Sequence, residues 1–398
     1  MPIPAVVVRT AREVWQCQWR QLMKGLGPAD RDGHYRRPPS ARSALPPLPD
    51  DAGSPGAAVL IVGRSCPWAH RAWLAWTLRQ LQGSIALLVV EPDPQAGRWI
   101  FPTPFEGCQT LAELYRRSGC PASARATVPL LWSCSQKRIL VNESARLIEL
   151  LDRWPQGDPR PEPPGPPDAP AHSAPAASGA APGVPSPAGP EPPVPEPAEP
   201  ESKAATAAEA ESPVPRPAPP LAAGALCPPE TRQRVEWWRE RLQGAVNDGV
   251  YRCGLARSQQ AYDAAEAELF AALDELEHDL ASREPGDPGW LAGGADPSLA
   301  DLCLFPTLIR WEQVYAPLFG CSRRPLWQFP RLWRWRARFH GLPGVAATCR
   351  PEAWRRDYFG ALFPLHPSGL IPAGPDLATL VNSVPLLPPD DLQQPPSG

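Results

Sequence analysis

The sequence predicts an α/β domain followed by an all-α domain, with a long disordered, proline-rich insert between them. Three observations favour this architecture: strand and helix patterns alternate in the first part of the chain, only helix patterns occur in the last part, and 59 of the 398 residues are proline. Average proline usage is about 5%, so part of the chain is not expected to pack. The 16 tryptophans supply core material for the remainder.

The predicted domain boundaries follow changes in composition. Residues 1–55 form an N-terminal extension, 56–154 the α/β domain, 155–229 the insert, 230–350 the all-helical domain and 351–398 a C-terminal tail. The insert has almost no aliphatic or aromatic side chains, so it cannot bury enough apolar surface to offset the entropy of ordering. It is expected to be an extended spacer, or alternatively a docking segment for a proline-binding partner.

Apolar runs and helical patterns alternate in the first domain. The run Ala57–Val62 predicts a buried strand, the segment 68–81 has apolar residues at helical spacing, and Ile85–Val90 predicts a second strand. These three elements make a right-handed βαβ unit with a partly parallel sheet. Two further strands and a closing helix are predicted at Thr127–Trp132, Arg138–Val141 and 144–154. The order βαβ then ββα is thioredoxin-like.

The part of the chain after the insert has helical periodicity and no convincing strand. The predicted helical segments are 232–242, 259–280, 299–319 and 326–340. The third begins with Ser298 and Asp301, which form an S-x-x-D capping box. This box is interpreted as a folding signal without chemistry.

Composition and charge exclude several classes of function. The chain has 39 Lys and Arg against 42 Asp and Glu, a balance that argues against nucleic acid as a partner. No apolar run reaches about 18 residues, and the start does not resemble a secretory signal, so a cytoplasmic protein without a membrane span is expected. The ten cysteines are then expected as reduced thiols. No C-x-x-C pair occurs and the histidines lack ligand spacing, so no metal site is expected.

Cys66 is the candidate nucleophile. It lies where a strand ends and a helix begins, and Pro67 suits the first helical position. Free amides of the first turn and the positive end of the helix dipole would favour the thiolate. Nearby Arg64, Arg71 and His70 are candidates for added positive potential. The alternative interpretation is that Cys66 is a small buried apolar residue.

The spacing around Cys66 limits its mechanism. A second thiol that would resolve a mixed disulfide is replaced by Ala69, which makes the motif C-P-W-A. The site is therefore monothiol and needs an external thiol. In a reducing cytoplasm glutathione is the natural candidate.

Two further motifs fit a glutathione pocket. Val128-Pro129 stands where thioredoxin-like folds place a cis-proline, and the residue before it offers backbone hydrogen bonds to a peptide-like ligand. Asn142, Glu143 and Ser144 precede the last helix of the domain, where backbone amides suit a carboxylate and Glu143 suits the ligand ammonium. The alternative is that N-E-S only caps the helix.

With these motifs in place, the chain resembles a known family. The blocks SCPWAHRAW, GRWIF, ATVPLLW, LVNESARLIELL, NDGVYRCGLA, RWEQVYAPLFGC, GLPGVAAT and PSGLIPAGP occur in the order found in the glutathionyl-hydroquinone reductases, the Xi class of glutathione transferases. The resemblance implies a glutathione transferase fold and a homodimer built partly by residues 351–375. Unlike the usual family pattern, this chain has one asparagine before Glu143 and an additional insert between the domains.

The resemblance also implies a reaction and roles for particular residues. Cys66 would attack the glutathione sulfur of an aromatic S-glutathionyl hydroquinone, release the hydroquinone and form a mixed disulfide that a second glutathione resolves. Trp99, Val128, Glu143 and Ser144 would bind glutathione, while Tyr251 and Tyr315 would line the aromatic-substrate pocket. One tyrosine hydroxyl would hydrogen-bond to, or protonate, the departing ring.

Two alternative functions remain open at this point. The first is an omega-like thioltransferase or dehydroascorbate reductase, which also uses a monothiol C-P-x-A site. The second is a non-catalytic binding module that keeps the transferase fold and contacts proteins through its insert. Both Cys66 and the N-E-S block are present, which weighs against the second, since such a module needs neither.

Overall fold

A computed structural model describes residues 3–93, 96–157, 221–284, 287–362 and 364–383. Residues 158–220 of the predicted extended insert lie outside the described residues, as do the last residues of the predicted tail. The extension and the α/β domain contain α1 (Ala5–Leu26), β1 (Ala58–Gly63), α2 (Pro67–Leu78), β2 (Ile85–Asp93), β3 (Arg98–Phe105), β4 (Cys108–Thr110), α3 (Leu111–Arg117), β5 (Leu130–Ser133), β6 (Arg138–Val141) and α4 (Ser144–Arg153).

The strands of the described residues form one six-stranded sheet in the order β4-β3-β2-β1-β5-β6. Strand β1 is parallel to β2, with Ala58 opposite Ile85, and antiparallel to β5. All six residues of β1 are buried, as expected for a central strand covered on both faces. The thioredoxin-like order predicted from the sequence is therefore confirmed, and α2 begins at the carboxyl end of the central strand.

The sequence analysis did not identify the hairpin β3-β4 or helix α3. Strand β3 contains Pro102 and Pro104, which disfavour a strand in the middle of a sheet. Its pairs with β2 involve only residues 98–100, and its register against β4 shifts between Ile100 and Phe105. The two prolines lie within this irregular stretch, where they are tolerated. Helix α3 begins with a capping box between Thr110 and Glu113, a signal that is present in the sequence.

The predicted N-terminal extension also has defined structure. Its helix α1 buries Met23 completely, in a small cluster with Tyr35 and Leu255. The guanidinium of Arg257 donates hydrogen bonds to the carbonyls of Met23 and Gly27 at the end of the helix. These contacts hold the beginning of the chain against the helical domain.

The helical domain contains α5 (Arg232–Leu242), α6 (Gly249–Gly254), α7 (Gln259–Ala281), α8 (Leu299–Leu308), α9 (Ala316–Phe319), α10 (Pro330–His340), α11 (Val345–Thr348), α12 (Pro351–Ala361) and α13 (Leu377–Asn382). The predicted helix at 299–319 is interrupted, because α8 ends at Leu308 and a π-helical turn, Trp311–Tyr315, follows. All ten residues of α8 are buried, which makes it the central helix of this domain. Its predicted Ser298–Asp301 capping box is confirmed.

The predicted C-terminal tail, residues 351–398, contains helices α12 and α13. Trp354 of α12 is fully buried, and its indole Nε1 donates a hydrogen bond to the Arg64 carbonyl at 3.1 Å. This contact ties α12 to the loop between β1 and α2. Among the described residues, no helix is long and apolar enough to cross a membrane.

Candidate active site

A cavity of about 1230 Å³ lies at the start of α2. It is lined by three separate parts of the chain: the segment that follows α1, the ends of the α/β strands, and helices of the second domain. Cys66 lines this cavity together with five of the other predicted site residues, Trp99, Val128, Glu143, Ser144 and Tyr251. The sequence motifs that were separated along the chain therefore meet around one thiol.

Cys66 occupies the N-cap position of α2. Its backbone is extended, with φ −74° and ψ 117°, and Pro67 stands at the first helical position. The Cys66 side chain is partly buried, and its Sγ donates a hydrogen bond to the Val128 carbonyl at 3.5 Å. The peptide bond between Val128 and Pro129 is cis, as the sequence motif predicts.

The electrostatics of Cys66 differ from the expectation that its thiolate is favoured. Burial raises the pKa of the Cys66 thiol above its ordinary value, although hydrogen bonds from the Ala69 and Trp68 amides and the charges of Arg310 and Arg37 act in the opposite direction. The expected amides are present, but they do not outweigh the loss of solvent. The hydrogen bond to Val128 also favours the protonated thiol, since a thiolate has no proton to donate.

A pH dependence follows from this direction. Because the pKa of Cys66 is raised by burial, most of the thiol is protonated at neutral pH. We expect the rate of iodoacetamide alkylation at Cys66 to rise about tenfold per pH unit between about pH 6 and 8. Peptide mass spectrometry at fixed times measures this rate. A rate that is already constant below about pH 7 would contradict the expected protonation state.

The sources of positive charge near Cys66 also need correction. His70 is buried, and burial followed by the charge of Arg310 holds its pKa well below the usual value, so His70 is neutral. Its Nδ1 lies 2.9 Å from Arg310 Nη1, and the Arg310 guanidinium stacks over the Trp354 ring at 4.2 Å. Arg64 instead forms an ion pair with Glu91 at 3.6 Å. The positive charge near the thiol therefore comes from Arg310 of the helical domain and from Arg37 of the segment that follows α1.

Gly63, which has no side chain, allows the Trp99 ring to lie close to the start of α2. A Cβ atom at Gly63 would stand 2.6 Å from two ring atoms of Trp99, closer than real Cβ contacts. Glycine at the end of β1 therefore lets the indole lie across the strand, where it also lines the cavity. Position 63 sets how close Trp99 comes to the loop that carries Cys66.

Glu143 and Ser144 are held at the start of α4. The Glu143 carboxylate caps the helix by accepting from the Ala145 amide at 3.5 Å, and its other oxygen accepts from Ser40 Oγ at 2.7 Å. Ser144 Oγ accepts from Arg71 Nη1 at 3.4 Å. The cap predicted as an alternative role for N-E-S thus exists, and both side chains still face the cavity.

Asn142 ties the α/β domain to the chain that follows α1. Its Nδ2 donates to Tyr115 Oη at 2.8 Å, and its Oδ1 accepts from the Arg42 amide at 2.6 Å. The Asn142 amide in turn donates to the Arg42 carbonyl at 3.1 Å. We name residues 28–45 the N-terminal segment.

The N-terminal segment is part of the site, which the sequence analysis did not foresee. Tyr35, Arg37 and Ser40 line the cavity, and Ser40 holds the Glu143 carboxylate. A signal was present in the run H-Y-R-R at residues 34–37, where an aromatic and two basic side chains occur together in a polar stretch.

Tyrosines form the aromatic end of the cavity. Tyr251 and Tyr358 both line it, and their hydroxyls are hydrogen-bonded to each other at 2.5 Å. Burial raises the pKa of each of these two tyrosines well above the usual value, so both hydroxyls are neutral. Sequence reasoning missed Tyr358, because it lies in the segment assigned to the tail.

The structure places Tyr315 one layer behind the other two tyrosines. Its side chain is 0% exposed, and its ring lies edge-on at 6.1 Å from each of the rings of Tyr251 and Tyr358. It does not line the cavity.

Among the described residues, no group of three or more His, Cys, Asp or Glu side chains could hold a metal ion.

Comparisons with known proteins agree with this architecture. Residues 65–154 match the family model of the glutathione S-transferase N-terminal domain, and residues 259–338 match that of the C-terminal domain. The chain is 28% identical over 330 residues to the glutathionyl-hydroquinone reductase PcpF of Sphingobium chlorophenolicum, covering 81% of this chain and 84% of the relative.

Two solved structures share the fold. The crystal structure of the glutathione transferase Xi from Phanerochaete chrysosporium has a TM-score of 0.63 and 24% identity, covering 87% of this chain and 94% of that chain. The glutathione-bound structure of YqjG from Escherichia coli has a TM-score of 0.58 and 25% identity, covering 82% and 87%. The chain therefore has the glutathione transferase fold, with one segment matching the N-terminal and one the C-terminal domain of glutathione S-transferases, and over most of its length it is similar to glutathionyl-hydroquinone reductases.

Proposed function

We propose that the protein reduces S-glutathionyl hydroquinones to hydroquinones, with Cys66 as the nucleophile and glutathione as co-substrate. The observation that supports this most is the position of Cys66 in one cavity, with Glu143 and Ser144 among its lining residues and the Tyr251–Tyr358 pair at its aromatic end. The two groups of residues suit the two halves of such a substrate.

The proposed reaction has two steps, of which only the second is a thiol–disulfide exchange. The Cys66 thiolate attacks the glutathione sulfur, the bond between that sulfur and the aromatic carbon breaks, and the ring carbon takes the electron pair and a proton. The two sulfur atoms are oxidised to a mixed disulfide and the ring is reduced. A second glutathione thiolate attacks the glutathione sulfur of this disulfide, which releases oxidised glutathione and the Cys66 thiolate. Ala69 offers no thiol for an internal exchange.

The glutathione half of the substrate has partners along the first domain. The Glu143 carboxylate, oriented by Ser40, would bind the ammonium group, and the amides at the start of α4 would bind the adjacent carboxylate. The backbone of Val128 would pair with the cysteinyl unit, and Trp99 would close the side of the groove. In this arrangement the glutathione sulfur lies beside Cys66 Sγ.

We expect the Tyr251 hydroxyl to donate a hydrogen bond or proton to the departing ring. Tyr251→Phe should lower kcat for a glutathionyl hydroquinone roughly 100-fold, the low end of the range for general acid catalysis. Steady-state kinetics of hydroquinone release measures the loss. Tyr315→Phe is the matched comparison, because Tyr315 does not line the cavity and its loss should stay below about tenfold. Equal losses in the two variants would contradict the assignment of this role to Tyr251 alone.

The proposal is tested by mass spectrometry of the protein after incubation with a glutathionyl hydroquinone. One glutathione attached at Cys66 is expected. Cys227→Ser serves as the control, since Cys227 lines the same cavity and its thiol is not expected to accept glutathione. Glutathione bound at Cys227 and not at Cys66 would refute the mechanism.

The choice of substrate separates this function from an omega-like thioltransferase. Reduction of a simple glutathione mixed disulfide, with no activity on the aromatic adduct, would indicate the thioltransferase. We also propose that the protein forms a homodimer and that it acts in the cytoplasm. The domain limits predicted from the sequence are retained, except that helices α12 and α13 are assigned to the helical domain. Light scattering on the purified protein tests the dimer.

A further inference from the structure

The N-terminal segment lies outside both matched domains and still forms part of the cavity wall. It is anchored at one end by the Arg257 amide, which donates to the Gly33 carbonyl at 2.9 Å, and at the other by the paired backbone of Arg42 and Asn142. Between these anchors, Arg37 reaches the aromatic end of the cavity.

The Arg37 guanidinium is held by three neighbours. Its Nε donates to the Asp248 carboxylate, and its Cζ lies 4.1 Å from the Trp68 ring centroid and 5.0 Å from that of Tyr251. The second oxygen of Asp248 accepts from Gln243 Nε2 at 3.0 Å, so the carboxylate itself is fixed. Stacking on two rings and one ion pair give the guanidinium a defined orientation.

Arg37 presents its charge to the cavity, whereas Asp248 does not. Arg37 is a lining residue and Asp248 is not, so the cation faces the ligand space and its counter-ion lies behind it. The Arg37 side chain is 32% exposed. Within the described part of the chain its Nη atoms have no hydrogen-bond partner, since the bond to Asp248 uses Nε alone. Two nitrogen donor groups are therefore available to a ligand.

Arg71, a second arginine next to the Trp68 ring, differs from Arg37 in its hydrogen bonds. The Arg71 guanidinium lies 4.3 Å from the Trp68 ring centroid, but its Nη1 is already engaged by Ser144 Oγ and Gln243 Oε1. The acidic lining residue nearest in sequence to Tyr358 is Asp357, which forms an ion pair with Arg356 at 2.9 Å. Arg37 is thus the cation suited to an anionic group at the tyrosine end.

We propose that Arg37 is a specificity-determining residue that binds a ring carboxylate on the aromatic half of the substrate, so that the preferred substrates are glutathionyl hydroquinones with an acidic substituent. This inference rests on the proposed function. A carboxylate is ionised at neutral pH, and its two oxygens match the planar donor geometry of a guanidinium.

The test compares two glutathionyl hydroquinones that differ only in one ring carboxylate. The wild-type protein should favour the carboxylated adduct in kcat/KM by about tenfold or more, the range of a charge-assisted hydrogen bond. Arg37→Met should remove this preference through a higher KM for the carboxylated adduct, whereas any effect of the lost charge on Cys66 should change the turnover of both adducts equally. Arg36→Met is the matched control, because Arg36 is 72% exposed, pairs with Asp30 and should leave the preference unchanged.

Reduction of the adduct without the ring carboxylate shows whether each variant is folded and whether the proposed function holds, independently of Arg37. If the wild-type protein reduces both adducts and Arg37→Met leaves their ratio unchanged, the role of Arg37 is refuted and the reductase activity stands. If the wild-type protein shows no preference, the role of Arg37 is equally refuted. Reduction of neither adduct by the wild-type protein would remove the proposed function and this inference with it. Should Arg37→Met fail to fold, the same ratio in Arg37→Gln decides.

Discussion

Cys66→Ser is expected to lose reductase activity on glutathionyl hydroquinones by roughly 10³-fold or more, as when a nucleophile is removed from other enzymes. Serine is similar in size to cysteine, but its hydroxyl is a far poorer nucleophile at neutral pH. Glutathione affinity should change little, because the proposed partners of the tripeptide are Trp99, Val128 and the start of α4. Hydroquinone release followed by chromatography measures the activity, and calorimetry measures the binding.

The matched control for this variant is Cys227→Ser. Cys227 lines the same cavity but does not stand at the start of α2, so its replacement should leave turnover within about twofold. Wild-type activity in Cys66→Ser would refute the nucleophile. A loss of activity in both variants would mean that replacing either sulfur by oxygen impairs the cavity. The role of nucleophile could then not be assigned to Cys66 from this comparison.

Asp301→Ala is expected to lower the free energy of unfolding by about 4 kcal/mol, the largest change in stability among these variants. The Asp301 side chain is 0% exposed, and its two oxygens accept hydrogen bonds from four groups: the Leu291 amide, Trp335 Nε1, and the amide and hydroxyl of Ser298. Alanine would leave these donors buried without an acceptor, and each unsatisfied donor costs about 1–3 kcal/mol before the structure relaxes. Urea denaturation followed by circular dichroism gives the free energy of unfolding.

Asp376→Ala provides the comparison for the helix cap. Asp376 also caps a helix, by accepting from the Thr379 amide at 2.7 Å, but its hydrogen bond is exposed. Its removal should cost about 1 kcal/mol, as for an ordinary cap. If the two substitutions lower the free energy of unfolding equally, the network of buried donors around Asp301 contributes nothing beyond capping.

The features that could be predicted from the sequence are those that adjacent residues determine. The βαβ unit, the start of α2 at Pro67 and the Ser298–Asp301 cap follow from local periodicity and capping chemistry, and the structure confirms them. The replacement of the second cysteine of a C-x-x-C motif by Ala69 is likewise visible in four consecutive letters, C-P-W-A.

The features of the site that were missed depend on contacts between distant parts of the chain. Ser40 and Glu143 are 103 residues apart, and Tyr251 and Tyr358 are 107 apart. No periodicity reports such a pair, so both the N-terminal segment and α12 were assigned to an extension and a tail. The direction of the Cys66 pKa was missed for a related reason, because burial depends on everything packed around the thiol.

The position of Ser40 and Arg37 has a practical consequence for shortened versions of the protein. A fragment that begins at residue 56, where the predicted α/β domain begins, would keep all six strands, Cys66 and helices α2 to α13, and standard checks of secondary structure would pass it. It would nevertheless lack the hydroxyl that orients Glu143 and the guanidinium beside Trp68. Ligand affinities measured on such a fragment would describe an incomplete pocket, so the first 45 residues belong in any preparation used for screening.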